Sequence, residues 1–307
     1  VRPGEQSRLS LLCADGTNAD AHCEIELAWF ADCNNPANND PLKCLNHYST
    51  WFQGVDTPLA DTSELAELPD FRVAAAFDYK APSDVLQSEV SVGGQSVQYG
   101  SAYVFFAACA GRLYAAPGLV DQLPVQCRDR ATGALLDQRR FVAGVTTLYA
   151  YDKVRNANPV MQKARFDGRA VPQQTCGSDA DCGSGFACTQ EAECVPAVPA
   201  CKDSNTCRGH CLDVEVPASS FALSTPEGIP LMSPLKSLWF EYYANMGALP
   251  DDPGFGIRPP PEGEASRRSY CAVWQAPSQA SSDARIWLVL RDDRGGLRWH
   301  TQRVVVH

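Results

Sequence analysis

Seven of the chain's fourteen cysteines fall between residues 176 and 211, in CGSDADCGSGFACTQEAECVPAVPACKDSNTCRGHC, and this cluster limits the fold more than any other feature. Apart from cysteine and alanine, its apolar side chains are Phe186, Val195 and Val198. A segment below about 40 residues with so little to bury cannot hold itself together through a hydrophobic core. Zinc sites set two ligands two to four residues apart in each half, so that one knuckle presents both sulfurs to a tetrahedral ion. The gaps here are five, five, five, six, five and three residues, and no CxxC occurs. Thiol-exchange chemistry favours the same missing motif. Cys207 and Cys211, with His210 between them, form the one close pair and are a poor start for a metal centre. Disulfides are therefore expected, each contributing about 2 to 4 kcal/mol, and no metal or cofactor is expected.

The remaining cysteines are Cys13, Cys23, Cys33, Cys44, Cys109 and Cys127 in the first half and Cys271 near the end. The cluster itself holds Cys176, Cys182, Cys188, Cys194, Cys201, Cys207 and Cys211, an odd number. The six in the first half can satisfy one another, so parity requires one bridge from the cluster to Cys271. Cys211 is the candidate partner because it opens the strand-like run LDVEVP. So many cross-links suit an oxidising, extracytoplasmic compartment. The opening VRPGEQSRLS has neither a start methionine nor an apolar signal region, and reads as the mature or trimmed part of a longer precursor.

Short apolar or alternating runs bounded by Gly, Pro, Asn and Asp dominate the rest of the chain, with SRLSLLCA, EIELAWFA, SAYVFFAACA, GVTTLYAYD and ARIWLVLRD the clearest. Pro stops the short helical stretches TSELAELPDF and PGLVDQLP after a turn or two. The pattern predicts an all-β fold of two immunoglobulin-like β-sandwiches, over residues 1–154 and 155–307. The second carries a disulfide-rich insertion at 176–211, and the Asn-Pro break in RNANPV marks the passage between the two. ARIWLVLRD is apolar at nearly every position, which predicts a central strand covered on both faces. It leads through DRGG into LRWHTQRVVVH, with Gly295 and Gly296 expected to supply the positive φ angles of a hairpin turn.

Cys13, Trp29 and Cys109 occur in the order of an immunoglobulin core, which would pair Cys13 with Cys109. No Tyr stands two residues before Cys109, and three neighbour pairs, Cys13–Cys23, Cys33–Cys44 and Cys109–Cys127, use the same six cysteines; the local set is preferred. PGEQSRLSLLCADG, ELAWFADCNNP, YVFFAACAGRLYAAPG, FVAGVTTLYAYD and RNANPVMQKARFDGRAV together resemble the Ig-like repeats of cell-envelope lipoproteins from myxobacteria and related deltaproteobacteria. WQAP followed by ARIWLVLRDDRGGLRWHTQRVVV is similar to the end of a second repeat, and CGSDADCGSGFAC resembles the Cys-rich insertions of those proteins. The resemblance covers most of the chain and implies a fold, a secretion route and an outer-membrane or cell-surface location, but no reaction. The lipobox cysteine of such proteins is absent, so a lipid anchor, and with it any membrane contact, is expected only upstream of Val1.

A net charge of -10 and the absence of any long Lys/Arg block exclude a phosphate-backbone partner. None of His22, His47, His210, His300 and His307 stands in HExxH or beside a GxSxG elbow, and no enzyme activity is expected. His22 and Cys23 are adjacent, and on a strand adjacent residues point to opposite faces. Asp179 with Asp181, and Asp292 with Asp293, invite calcium, but neither loop ends in the required glutamate, and solvated turn residues are the preferred account. Aromatic side chains are the remaining candidates. Tyr48, Trp51 and Phe52 read as a loop, equally suited to be an exposed platform for a glycan or peptide or a buried part of the core. In WFEYY, Trp239, Glu241 and Tyr243 share one face, Phe240 and Tyr242 the other, and core is preferred for the segment. The function that follows is a non-enzymatic structural or protein-binding component of a bacterial cell-surface assembly, with envelope or surface proteins as partners. The alternative is a carbohydrate-binding or adhesive module that works through the aromatic loops.

Overall fold

In the computed structural model, the runs rich in β-branched and aromatic residues form strands, and the chain is all-β with short helical turns. The structure describes residues 1–11, 24–53, 55, 57–116, 122–203, 207–231, 235–249, 255–261, 263–269 and 271–307. Cys13, His22 and Cys23, and residues 117–121 of PGLVDQLP, lie outside them. The described residues fall into two compact units, 1–155 and 156–307.

The first unit is built on β1 (Gln6–Ser10), β2 (Glu26–Asn34), β3 (Phe71–Val73), β4 (Ala76–Lys80), β5 (Ser88–Val92), β6 (Gln95–Cys109), β7 (Arg112–Ala115), β8 (Val125–Arg128) and β9 (Phe141–Tyr151). β6 pairs with β2, β5 and β9, and β3 joins through β2, all antiparallel. Side chains alternate across this sheet, and each face carries a core while much of β5 and β9 stays exposed. Trp29, Val104 and Ala108 pack with Phe77 and Tyr79 of the β1–β4 pair. Phe30, Phe105 and Ala107 pack on the other side with Tyr48, Phe52 and the β7–β8 hairpin. NHYSTWFQG is not a loop here: helix α1 spans Leu45–Trp51, and α2 spans Ser63–Ala66.

The second unit begins with β10 (Gln162–Phe166) and β11 (Arg169–Ala170), followed by helix α3 (Asp179–Cys182), β12 (Phe186–Cys188), β13 (Cys194–Val198), β14 (His210–Pro217) and a small hairpin of β15 (Leu223–Ser224) and β16 (Pro230–Leu231). β17 (Leu238–Ala244), β18 (Phe255–Ile257), β19 (Ser266–Arg268), β20 (Ala272–Trp274), β21 (Ser281–Asp292) and β22 (Leu297–Val306) complete it. One sheet runs β11-β10-β14-β19, with β20 also on β14; the other runs β12-β13-β22-β21-β17-β18. A single core joins them, with Phe166, Leu212, Val214 and Trp274 from the first sheet and Phe240, Tyr242, Ile286, Leu288, Leu290 and Val304 from the second.

Six disulfides form among the described residues: Cys33–Cys44, Cys109–Cys127, Cys176–Cys188, Cys182–Cys194, Cys201–Cys207 and Cys211–Cys271. This content suits an oxidising, extracytoplasmic environment. Cys109 thus bonds Cys127 and is not available to Cys13. Cys176–Cys188 and Cys182–Cys194 interleave, and with Phe186 they are the small core of this segment. The segment does not end as a self-contained insertion. β13 adds to the six-stranded sheet parallel to β22, Val198 enters the main core, and Cys211 lies inside β14, bridged to Cys271 across 60 residues.

Two expectations about the last hairpin need correction. β21 is central, but its side chains alternate: Ala284, Ile286, Leu288 and Leu290 are buried, while Arg285, Trp287, Val289 and Arg291 are only half-buried on the other face. Gly295 has φ +79°, whereas Gly296 does not adopt positive φ. Gly296 is required for space, since a Cβ there would lie 2.3 Å from Asp292 Oδ2.

Candidate interaction face

The outer face of the six-stranded sheet is built by register. Trp239, Arg291 and Leu297 form one row across β17, β21 and β22; Glu241, Val289 and Trp299 form the next; Tyr243, Trp287 and Thr301 form a third. Rows on one face are about 6.8 Å apart and neighbouring strands about 4.8 Å. Three tryptophans and a tyrosine therefore share a patch of roughly 10 by 14 Å. Tyr243 is 49% exposed and Trp299 43%, while Trp239 and Trp287 are half-buried. Their opposite neighbours Phe240 and Tyr242 are fully buried in the core.

Glu241 stands between the rings. Its carboxylate accepts from Arg291 Nε at 2.8 Å, Tyr243 Oη at 3.0 Å and Trp239 Nε1 at 3.4 Å. Partial burial alone would raise its pKa, but the Arg291 guanidinium and the two neighbouring donors outweigh this and hold it below the usual carboxylate range. The flanking rings are thus tied to a fixed charge before anything binds. Arg303, one row beyond, donates to Glu191 at 2.8 Å and pairs with Asp283 at 3.2 Å, which fixes that corner of the face.

The platform expected at Tyr48, Trp51 and Phe52 is not an exposed surface. A helical turn places i and i+4 side chains on one face, so Tyr48 and Phe52, the residue that caps α1, turn together onto Phe30 and are fully buried. Trp51 is half-buried against Tyr48 and Phe71. The Tyr48 hydroxyl has no hydrogen-bond partner among the described residues, and burial together with Asp32 and Asp70 pushes its ionisation well above the usual range.

The calcium candidates are occupied in other ways. Asp292 is no solvated turn residue: Oδ2 accepts from Lys236 Nζ at 2.9 Å, and Oδ1 accepts from the backbone of Arg294 and Gly296. Lys236 also donates to Asn156 Oδ1 and the Ala157 carbonyl, so a buried ammonium sits where a cation was considered. Asp293 is partly exposed and faces Arg294 at 3.7 Å. Asp181 caps α3, its Oδ2 accepting from the N–H groups of Gly177 and Ser178, and Asp179 accepts from Cys188 N–H.

Among the histidines, His47 pairs with Asp32 at 3.2 Å in the first unit. His210 is buried and bonds Asp167 at 2.9 Å. His300 is half-buried on β22, with no partner for Nε2 among the described residues. Sulfurs of Cys176, Cys182 and Cys188 lie close together, but all three are consumed in disulfides and offer no thiolate. Parity within WFEYY sets Trp239 and Tyr243 on one face, but only strand register brings Trp287 and Trp299 to the same face. Comparison with protein-family models, curated proteins and solved structures finds no match.

Proposed function

We propose that this protein is an extracytoplasmic, non-enzymatic binding component of a bacterial cell-surface assembly, and that it holds a protein partner on the outer face of the six-stranded sheet. One observation carries this: Trp239, Tyr243, Trp287 and Trp299 share a half-exposed sheet face around the Glu241–Arg291 pair. Trp, Tyr and Arg are the residues that dominate binding hot spots, and a patch of this size matches a hot-spot cluster within a larger interface. Heavy cross-linking suits a part exposed to proteases outside the cell. The outer-membrane location, the kinship with envelope lipoproteins and a lipid anchor upstream of Val1 belong to the same proposal.

A glycan is the alternative occupant. It has lost Tyr48 and Phe52, and on the sheet face the Glu241 carboxylate already accepts from three donors and has little capacity left for sugar hydroxyls. A photo-reactive amino acid at position 299 is the test. Cross-linking in intact cells is expected to join one surface protein reproducibly, whereas the same group at exposed Leu135 of the first unit is expected to yield none of that adduct. Glycan binding that is lost in Trp299→Ala, without a protein adduct, would favour the alternative.

A further inference from the structure

A second site lies where the cysteine-rich segment meets the five-stranded sheet: a cleft of about 280 Å³, near the lower end of small-ligand site sizes. Its lining combines apolar Phe186, Val198 and Pro199 with polar Arg169, Arg208, Asp167 and His210. His210 is held by two rings and one hydrogen bond. Its ring stacks on Phe166 with centroids 5.6 Å apart, approaches Trp274 at 6.3 Å, and its Nδ1 bonds Asp167 Oδ2.

Asp167 is committed as well. Oδ1 accepts from Cys211 N–H at 2.9 Å and Oδ2 from His210, with Arg208 Nη2 at 3.8 Å. Its partial burial opposes ionisation, but these bonds outweigh it and keep the carboxyl below its ordinary range. Arg169 donates one bond, to the Ser184 carbonyl, and Gly185 leaves room for it: a Cβ there would lie 3.0 Å from Nη1. No partner for His210 Nε2 occurs among the described residues. On a chain of net charge -10, the cleft thus offers two guanidinium groups against one engaged carboxylate, while His210, donating through Nδ1, keeps Asp167 occupied.

That donor set calls for an anion, and its geometry narrows the kind. A planar carboxylate matches guanidinium forks, and the apolar part of the lining suits a carboxylate borne on an apolar residue. Arg169 lies in β11 and Phe186 in β12, each the outermost strand of its sheet among the described residues. Such edges offer free backbone groups to an extended chain. We propose that the cleft captures the free C-terminus of an extended polypeptide whose last side chain is apolar. The carboxylate lies between Arg169 and Arg208, and the terminal side chain lies against Phe186, Val198 and Pro199.

Calorimetric titration of the whole protein with a hexapeptide ending in leucine, as free acid and as C-terminal amide, tests this, alongside an oligouronate. The free acid is expected to bind saturably and the amide at least about tenfold more weakly, with Arg169→Gln and Arg208→Gln each costing the acid peptide about tenfold. Arg208 is 78% exposed, so its substitution leaves the fold intact, which an unchanged melting curve verifies. Trp299→Ala is expected to leave peptide binding unaltered, which separates this site from the sheet face. No saturation at millimolar peptide, equal binding of acid and amide, indifference to both arginine substitutions, or preference for the oligouronate would each overturn the assignment.

Discussion

Lys236 and Asp292 have side chains 1% and 0% exposed, and every polar atom of the pair has a partner. Removing one member strands a charge in the interior, so Lys236→Met is expected to destabilise by about 3 to 5 kcal/mol in chemical denaturation. His300 offers a contrasting case. Burial lowers its pKa, so the folded state resists protonation that the unfolded chain accepts below about 6.5. The neutral form is fully present above that pH, and stability falls as pH drops from there toward the lowered folded value. His300→Leu is expected to flatten this part of the stability–pH curve; an unchanged slope would assign it to other groups. Neither environment was legible in the sequence. RDDRGG has the composition of a solvated turn, and only the tertiary approach of Lys236, 56 residues away, takes Asp292 out of water.

At the scale of elements, α1 shows what local pattern misses. NHYSTW contains no strong helix former, yet Leu45 just before it, Tyr48 and Phe52 recur at helical spacing and the sheet face rewards burying them. Tyr48→Phe removes a hydroxyl that has no partner and is expected to be neutral or stabilising, while Phe52→Ala is expected to cost about 3 to 5 kcal/mol; thermal melts measure both. Strand alternation was more readable. The parity of WFEYY separates Phe240 and Tyr242 from Trp239 and Tyr243, and the structure divides them the same way. What the run ARIWLVLRD does not reveal is that its apolar residues include Trp287 and Val289 on a face the rest of the chain leaves half-open. A continuous apolar strand looks alike whether its second face is covered by its own chain or by another. Cysteine parity singles out Cys271 as the partner the cluster lacks, and the structure joins it to Cys211. Replacing both by Ala frees a loop of 60 residues and is expected to cost about 4 kcal/mol by loop-closure entropy, read from denaturation midpoints.

Across the whole molecule, composition and punctuation by Gly, Pro, Asn and Asp were enough for the all-β class, because strand content depends on short-range pattern. They were not enough for the layering. The first unit builds a core on each face of its main sheet, whereas the second closes one core between two sheets and leaves its outer aromatics half-exposed. The proposed binding role rests on that second arrangement, since the four rings and the Glu241–Arg291 pair are grouped by strand register rather than by sequence proximity. The most direct measurement is the affinity of the surface protein recovered by cross-linking at position 299 for purified wild-type protein and for Trp299→Ala and Tyr243→Ala. Both positions are exposed, so the variants are expected to melt like wild type and to bind at least about tenfold more weakly, as hot-spot residues do. Equal affinity for wild type and both variants would contradict a binding role for this face.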